Sequence, residues 1–431
     1  MTATTAPETT ALERPAAVSR VRGAGLAFLG VILVAVNLRT AITGVGALLD
    51  EVRTGLGLSG TLAGVVTTLP TIAFAAFGAT TPWLARRFSP ARLLAVAMAA
   101  LVAGQVLRVV TDAPALFIAF SALALAGIAV ANILLPLVVK QHFPGRAGLV
   151  TGAYTVSISL GATVASATAV PVAHAFGSWR AGLGIWAAFA AVAVLPWLPE
   201  ALRRTRRVAG RATTPALRVR PARTRLGWAI AVFFGMQSIG AYAVMGWLAQ
   251  LFRDAGFTPQ TAGLLLAAVP LFGVPFTLLI PTLAGRVRRL APLMLGLTAT
   301  AAVSYVGLAV APRGGALLWV ALLGIGQCVF PVSLAAIGLR TRTAEGTVAL
   351  SAFAQSLGYL VAGLGPLLVG VLYEATGGWT APIGLLLGAL VVQAATAVLI
   401  SRPRYVEDEL NLPQPAAGSA ASAATASSTV G

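Results

Sequence analysis

Arg39 is the residue whose type and position in this sequence most strongly indicate chemistry. It lies inside a long apolar stretch, Gly23–Leu48, that contains no acidic residue. An unpaired charge at membrane depth costs roughly 2.5–3.5 kcal/mol on insertion scales, so it usually marks a function. A guanidinium presents its N–H donors in a rigid plane that suits anions. Two interpretations stay open: Arg39 contacts a substrate, or it joins helices by donating to carbonyl and amide groups.

Uncharged polar residues at similar depth extend this candidate site. Amides both donate and accept hydrogen bonds, which suits a small polar solute. Hydrogen bonding between helices is the alternative role for each of them. Together with Arg39, we predict the following substrate-binding residues: Asn37, Thr43, Tyr154, Gln237, Gln327, Gln355 and Tyr359. Asn132 lies at a comparable depth in a neighbouring segment.

The acidic residues do not accompany Arg39. All 12 Asp and Glu residues fall at the end of an apolar stretch, in a loop or in a tail. The two histidines, His142 and His174, also lie near the ends of apolar stretches. The predicted cavity is therefore positive, which favours an anion and leaves no buried carboxylate for a proton relay. With one cysteine, Cys328, the chain forms no disulfide of its own, and we expect no metal or cofactor site.

The composition is that of an integral membrane protein. Only 10% of the 431 residues are charged and 58% are hydrophobic, whereas soluble domains carry about 25% charged residues. A membrane crossing needs ~20 apolar residues. We predict twelve crossings, in an all-α fold, at the following positions: Gly23–Leu48, Ser59–Trp83, Arg92–Val110, Pro114–Val139, Gly148–Ala173, Arg180–Trp197, Leu226–Leu251, Thr261–Leu283, Leu290–Val310, Gly315–Leu339, Gly346–Tyr373 and Thr380–Ile400.

The basic residues predict the orientation. If both termini are cytoplasmic, 24 of the 30 Lys and Arg residues lie on the cytoplasmic side and five on the other, with Arg39 inside the membrane. The five are Arg53, Arg108, Arg180, Arg253 and Arg313. This asymmetry follows the positive-inside rule and indicates an inner-membrane protein. It also accounts for the net charge of +18, because the basic residues lie in short loops, where they attract anionic lipid head groups. The charge therefore does not indicate a nucleic-acid interface.

The hydrophilic segments divide the chain into five regions. Residues 1–22 and 402–431 are rich in small and polar residues and are predicted to be disordered cytoplasmic tails. Residues 199–225 carry nine arginines and form a cytoplasmic linker between two six-helix bundles, residues 23–198 and 226–401. The loops leave no room for an extramembrane catalytic or output domain. A membrane enzyme or a sensor is therefore a distant alternative to a transporter.

The two predicted bundles repeat each other. The second span exits through TPWLARRFSPAR and the eighth through IPTLAGRVRRLAP, and Pro82, Leu84 and Ala85 match Pro281, Leu283 and Ala284 at an offset of 199. Repeats of this size place a binding site near the midplane, between the two bundles.

Twelve spans, a central basic loop and these paired basic exits resemble the major facilitator superfamily. The LARRFSPAR segment is similar to that family's motif after span two, although Arg86 replaces its usual acid and Ser89 its usual glycine. By this resemblance Arg86, Arg87, Arg92 and Arg286 belong to a gating motif. Strings such as NLRTAITGVGALLDEVR and FAQSLGYLVAGLGPLLVG resemble the cyanate permease and nitroimidazole transporter branch.

The resemblance covers about residues 23–400. It implies a monomeric secondary transporter that moves a small anion or a small polar heterocycle by alternating access. Efflux of neutral nitroheterocycles or other drugs is the alternative within this class. Without a buried carboxylate, we expect facilitated diffusion, exchange, or proton coupling through titration of the substrate itself.

Overall fold

The structure is a computed structural model that describes residues 16–143, 146–202, 219–286, 290–402 and 404–410. Its helices, in chain order, are α1 (Ala16–Ala47), α2 (Leu49–Leu56), α3 (Gly60–Arg87), α4 (Pro90–Val110), α5 (Pro114–His142), α6 (Ala147–Ala175), α7 (Trp179–Val194), α8 (Leu198–Leu202), α9 (Arg225–Asp254), α10 (Pro259–Arg286), α11 (Ala291–Val310), α12 (Ala316–Gln327), α13 (Val329–Leu339), α14 (Ala344–Thr376), α15 (Thr380–Ser401) and α16 (Val406–Glu409). Single 3-10 turns occupy Leu195–Trp197 and Pro221–Arg223.

Twelve membrane crossings are present among the described residues, and this confirms the predicted all-α architecture. Ten crossings are single helices. The sixth consists of α7, the 3-10 turn Leu195–Trp197 and α8, and α12 and α13 together form the tenth. Within the described ranges every regular element is helical. In a bilayer this is expected, because a helix satisfies its backbone hydrogen bonds internally.

Short polar residues begin several of these helices. The side chains of Ser59, Ser89, Ser178, Thr224 and Thr343 each accept a hydrogen bond from a backbone N–H two or three residues further on. Such capping satisfies donors that have no partner in the first turn. These five helices therefore begin where the sequence places a serine or threonine after a loop.

The chain crosses between two faces of the molecule, which we name by position. The linker face is the end where α1 begins, α8 ends and α9 begins; the opposite face is where α1 and α9 end. Helices α1 and α3–α7 pack as one bundle and α9–α15 as a second. Close packing within the first bundle depends on small residues: a Cβ at Gly161 would overlap the carbonyl oxygen of Val36, and one at Gly104 the backbone of Ala124.

The tenth crossing is interrupted at mid-depth. Helix α12 ends at Gln327, Cys328 is a turn residue, and α13 begins at Val329. Pro331 has no N–H to donate to the carbonyl of Gln327, which accounts for the break in the helix. Interrupted helices are typical of transporter binding sites.

The predicted disorder from residue 402 is wrong for residues 404–410. The N–H of Val406 donates to the carbonyl of Arg340 at 3.0 Å. The Glu407 side chain is 5% exposed and accepts hydrogen bonds from the N–H of Arg342 at 3.1 Å and the hydroxyl of Thr343 at 3.0 Å. This carboxylate lies at the positive N-terminal end of α14, which favours docking of the segment.

The predicted N-terminal boundary is also displaced, because α1 begins at Ala16 instead of residue 23. Residues 1–15 and 411–431 and most of the predicted linker, 203–218, lie outside the described residues.

Arg108 does not lie on the opposite face as predicted. Its side chain is 1% exposed and points into the first bundle, where Nη1 donates to the carbonyl of Ala41 at 3.3 Å. Removing it from the count leaves four arginines on that face, so the charge asymmetry becomes stronger. The error arose because a residue near the end of a helix can direct a long side chain back into the protein.

Candidate substrate cavity and the closed face opposite it

A cavity of about 750 Å³ lies between the two bundles. It extends to Gly148 and Thr151 in the first two turns of α6 and to Leu334 near the end of α13. These positions are close to the linker face, so the cavity opens toward that face. Arg39 is the one charged residue among the described residues that line it.

The Arg39 side chain lies half-buried in the cavity wall. Its Nη1 donates to the hydroxyl of Tyr242 at 3.1 Å, its one side-chain hydrogen bond to the described part of the chain. The guanidinium carbon lies 5.5 Å from the ring centre of Tyr242 and 5.7 Å from that of Phe74. Both distances are within the range of cation–π attraction. Because a guanidinium has five N–H donors, several stay available to a ligand.

Aromatic rings from both bundles surround this guanidinium. Tyr359 stacks on Phe74 with ring centres 5.2 Å apart and meets Tyr242 edge-on at 6.2 Å. Phe234 packs against the other side of Tyr359 at 5.1 Å. Tyr242 and Tyr359 line the cavity and are both mostly buried. The cluster holds Arg39 in place and provides flat apolar surfaces beside it.

Three predicted glutamines line the same cavity. Gln237 donates to its own helix, to the carbonyl of Phe234 at 3.1 Å, and Gln355 donates to the hydroxyl of Ser351 at 2.6 Å. The Nε2 of Gln327 is buried and has no hydrogen-bond partner among the described atoms. Because an unpartnered buried amide is costly, Gln327 is the strongest of the three as a ligand donor. None of these bonds joins one crossing to another.

Tyr154, Thr43 and Asn132 also line the cavity, but Asn37 does not. The Thr43 hydroxyl donates within the first bundle, to the carbonyls of Arg39 and Ala162. Asn37 is 1% exposed, and its Nδ2 donates to the carbonyl of Leu33 at 2.8 Å and to that of Phe189 at 3.5 Å. The structure therefore places Asn37 outside the cavity lining, with its side chain directed toward α7, and its contact with substrate stays a prediction.

Of the predicted gating arginines, Arg87 and Arg92 lie near the linker face and do not line the cavity. Arg87 lies over the ring of Trp83, 4.1 Å from its centre. The Nε of Arg92 donates to the carbonyl of Ala201 at 2.7 Å, which joins α4 to α8. The side chains of Arg86 and Arg286 lie outside the described part of the structure. A gating role for these residues stays a prediction.

An ion-pair cluster closes the opposite face between the bundles. Arg253 at the end of α9 donates to the carboxylate of Glu51 at 2.7 Å and to the carbonyl of Ala47 at 3.2 Å, and it approaches Asp50 at 3.7 Å. The paired acids following span one and the Arg-Asp pair following span seven occupy equivalent places in the two halves of the sequence. This symmetry is readable from the sequence, but the pairing of Arg253 with Glu51 depends on how the two bundles pack.

Two further helix pairs meet near the same face. The N–H and hydroxyl of Thr61 both donate to Glu374 at 2.8 Å, and the Thr68 hydroxyl donates to the carbonyl of Gly363 at 3.0 Å. These contacts join α3 to α14. The side chains of His174 and Gln260 hydrogen bond at 3.0 Å and join α6 to α10. The conformation is therefore closed at the opposite face and open at the linker face.

Sequence reasoning missed Tyr242, which lines the cavity, and Phe74, whose ring lies beside Arg39. Ser238, Ala241, Tyr242 and Met245 all line the cavity. Their spacings of three, four and seven residues place them on one face of α9. A stripe of this kind, containing a tyrosine hydroxyl, is a readable signal. Phe74 is apolar and has no such signal.

The geometry agrees with what comparison to known proteins shows. A model of the Major Facilitator Superfamily matches residues 27–319. The chain is 34% identical to "Uncharacterized transporter YycB" of Bacillus subtilis, covering 88% of this chain and 94% of that protein. It is 34% identical to the 2-nitroimidazole transporter of Escherichia coli, covering 86% and 93%. It is 28% identical to the cyanate transport protein CynX of Escherichia coli, covering 81% and 90%.

A solved structure supports the same fold. A bacterial homologue of the human lysosomal transporter Spinster, in an inward-facing and occupied conformation, superposes with a TM-score of 0.73 at 15% identity. The match covers 90% of this chain and 98% of that one. These matches and the membrane-spanning architecture show that the chain is a transporter, not an enzyme, and that it belongs to the major facilitator superfamily.

Proposed function

We propose that the protein moves a small anion, of the size and charge of cyanate, across the membrane by alternating access. The observation that carries the proposal is Arg39, a positive charge with one hydrogen bond to described residues and no carboxylate on the described cavity wall. Such a site attracts anions and repels cations. Alternating access fits a cavity that is open at one face and sealed by interbundle contacts at the other.

Within this proposal the substrate binds at the inner end of the cavity. The free N–H groups of Arg39 donate to the anion, and the unpartnered amide of Gln327 is a second donor. A volume of about 750 Å³ greatly exceeds a three-atom anion, so the rest of the cavity is the route to the linker face. Tyr154, Gln237, Gln355 and Tyr359 line that route or its inner end.

The linker face is cytoplasmic in this proposal. The distribution of basic residues in the sequence favours that orientation, with both termini on the cytoplasmic side of the inner membrane. The described conformation is then inward-open. We also propose that the protein acts as a monomer, as its resemblance to the superfamily implies. The absence of a carboxylate from the described lining favours facilitated diffusion, exchange, or coupling through the substrate's own titration.

Transport of a neutral nitroheterocycle is the second candidate. The relative named a 2-nitroimidazole transporter favours it, as do the rings of Tyr242 and Tyr359, which line the cavity beside Arg39. A planar heterocycle can stack on such surfaces, while the oxygens of a nitro group accept from the guanidinium. The two candidates therefore share Arg39 but differ in their need for the aromatic rings.

The test is transport into proteoliposomes. Uptake of radiolabelled cyanate, thiocyanate and 2-nitroimidazole is compared for the wild type, Arg39→Gln and Arg39→Lys. Loss of one charge-assisted hydrogen bond costs about 2 kcal/mol, which corresponds to roughly a 30-fold loss of affinity. We expect at least that loss in Arg39→Gln and partial activity in Arg39→Lys, which keeps the charge without the planar fork. Arg180→Gln is the matched control, because Arg180 pairs with Asp112 within the first bundle.

The outcomes separate the candidates. Anion transport that depends on Arg39 supports the first proposal. Transport of 2-nitroimidazole alone supports the second. Undiminished transport of every substrate by both Arg39 variants overturns the assignment of Arg39 as the substrate contact.

A further inference from the structure

The first bundle contains a second buried positive charge that the substrate cavity does not use. Arg108 in α4 is 1% exposed, and its hydrogen bond to described residues is the one from Nη1 to the carbonyl of Ala41. Its Nε is buried and has no partner in the described chain. It forms no ion pair with any described carboxylate. The Nε–H group of this buried guanidinium therefore needs an acceptor.

Two neighbouring polar side chains are also buried without hydrogen-bond partners. Gln105 lies one turn before Arg108 on α4, is 0% exposed, and has no partner for either side-chain atom among described residues. Ser121 on α5 is 3% exposed, and its hydroxyl is also unpartnered. Buried polar groups in proteins are nearly always hydrogen bonded. Three unpartnered polar residues on two adjacent helices therefore indicate that a bound ligand completes their hydrogen bonds.

A cavity of about 20 Å³ lies against Arg108 and Ser121. Helices α1, α3, α4 and α5 form its walls, and Gly246 of α9 is its one described wall residue from the second bundle. It shares no lining residue with the substrate cavity. A space of this size holds about one water molecule or a monatomic ion and excludes larger organic anions.

The chemistry of the wall selects an anion. A guanidinium only donates, and hydroxyl and amide groups can also donate. A water molecule would satisfy one or two donors and leave the buried charge uncompensated, which is costly. An anion in this cavity accepts from the two polar side chains that line it, Arg108 and Ser121, and neutralises the charge. We propose that a chloride-sized anion binds between Arg108 and Ser121, at a site distinct from the substrate cavity at Arg39.

The site is also coupled to the conformation. A Cβ at Gly246 would lie 2.8 Å from Cβ of Thr67, so α9 packs tightly on α3 at the wall of the small cavity. Opening of the opposite face moves α9 away and exposes the site. Bound chloride therefore stabilises the conformation described here.

The test uses the full-length protein in detergent, with sodium chloride, bromide or gluconate at equal ionic strength. Gluconate is too large for the site. We expect chloride and bromide to raise the Tm of the wild type by about 2 °C or more over gluconate. The shift persists in Arg39→Gln and in the surface control Arg313→Gln, is reduced in Ser121→Ala, and is lost in Arg108→Gln.

A bromide-soaked crystal provides a readout that needs no variant. An anomalous peak within hydrogen-bond distance of the Arg108 guanidinium supports the site. Lack of such a peak in the closed-face conformation, or a halide shift that survives in Arg108→Gln, overturns it. A halide shift lost in Arg39→Gln but kept in Arg108→Gln places the anion in the substrate cavity and also overturns the proposal. Failure of cyanate transport alone affects only the proposed function.

Discussion

The guanidinium of Arg39 and the hydroxyl of Tyr242 form a hydrogen bond, 3.1 Å long, between residues 203 positions apart in the chain. Arg39 belongs to α1 and Tyr242 to α9, so the bond joins the two bundles at the inner end of the cavity. A substrate that binds Arg39 must do so beside this bond. Binding and the relative position of the bundles are therefore physically linked at this pair.

Tyr242→Phe is expected to weaken substrate binding without abolishing transport. The variant keeps the ring over Arg39 but removes the hydroxyl that orients it. An ordinary hydrogen bond is worth about 1 kcal/mol, so we expect a roughly fivefold rise in KM. The control is Tyr305→Phe, a buried tyrosine of α11 outside the substrate cavity. An unchanged KM for Tyr242→Phe, or an equal rise in the control, contradicts the role of this hydroxyl.

Gln327→Leu and Gln393→Leu are expected to have opposite effects. Gln327 lines the cavity with an unpartnered Nε2, whereas Gln393 is 1% exposed and donates to Thr298 at 2.7 Å. Gln327→Leu should lower substrate affinity without lowering Tm. Gln393→Leu should lower Tm at unchanged affinity, because the hydrogen bond that Gln393 donates to Thr298 is lost. Ligand-induced and ligand-free thermal unfolding measure both quantities, and a fall in Tm for Gln327→Leu would show a packing role instead.

Gly46→Ala is expected to open the opposite face. A Cβ there would overlap the carbonyl oxygen of Met245, so the α1–α9 contact requires glycine, whereas a Cβ at Gly44 makes only ordinary contact with Leu183 at 3.6 Å. Gly44→Ala is therefore the control in the same helix. Spin labels at Ala175→Cys and Gly314→Cys, both exposed, report the separation of the bundles by pulsed electron resonance.

These measurements are made in a Cys328→Ser background, because the spin label would otherwise also attach to Cys328, the chain's single native cysteine. We expect Gly46→Ala to lengthen the mean distance between the labels and Gly44→Ala to leave it unchanged. Equal distances in the two variants would mean that the α1–α9 contact does not hold this face closed.

Arg253→Gln is expected to shift the same equilibrium. The substitution removes the charge that pairs with Glu51 at 2.7 Å and Asp50 at 3.7 Å. The Arg253 side chain is 10% exposed, so the ion pair is screened less by salt than a surface pair. With the same spin labels, a larger fraction of molecules should show the longer distance between the two bundles. Arg180→Gln is the control, since its partner Asp112 lies in the same bundle; an equal shift in both variants would indicate a general loss of stability.

Glu407→Gln is expected to destabilise the second bundle at its linker face. The carboxylate is mostly buried and accepts from Arg342 and Thr343. Weakening these charge-assisted hydrogen bonds costs about 1–3 kcal/mol, which thermal unfolding detects as a lower Tm. The control is truncation after Leu410, which removes 411–431 and leaves the docked segment intact. A Tm that falls only in the truncated protein would contradict the stabilising role of Glu407.

The sequence alone was sufficient for the number of crossings, the two sets of six and the depth of Arg39. Each depends on local hydropathy and charge, which need no knowledge of how helices rotate. The lack of acids near Arg39 was also readable, since every Asp and Glu falls near the end of a span or beyond it. The docked residues 404–410 were missed because their order depends on acceptors and donors far away in the chain, such as the backbone of Arg340.

Only the tertiary structure decided which polar residues face the cavity. Asn37 and Arg39 are two positions apart, yet one donates to the carbonyl of Phe189 in its own bundle and the other to Tyr242 in the second. Arg108 was placed at a face by its position and is buried by its side-chain direction. A helix turns 100° per residue. The position of a residue in its span therefore determines its depth in the membrane, whereas the direction of its side chain depends on which helices pack against each side.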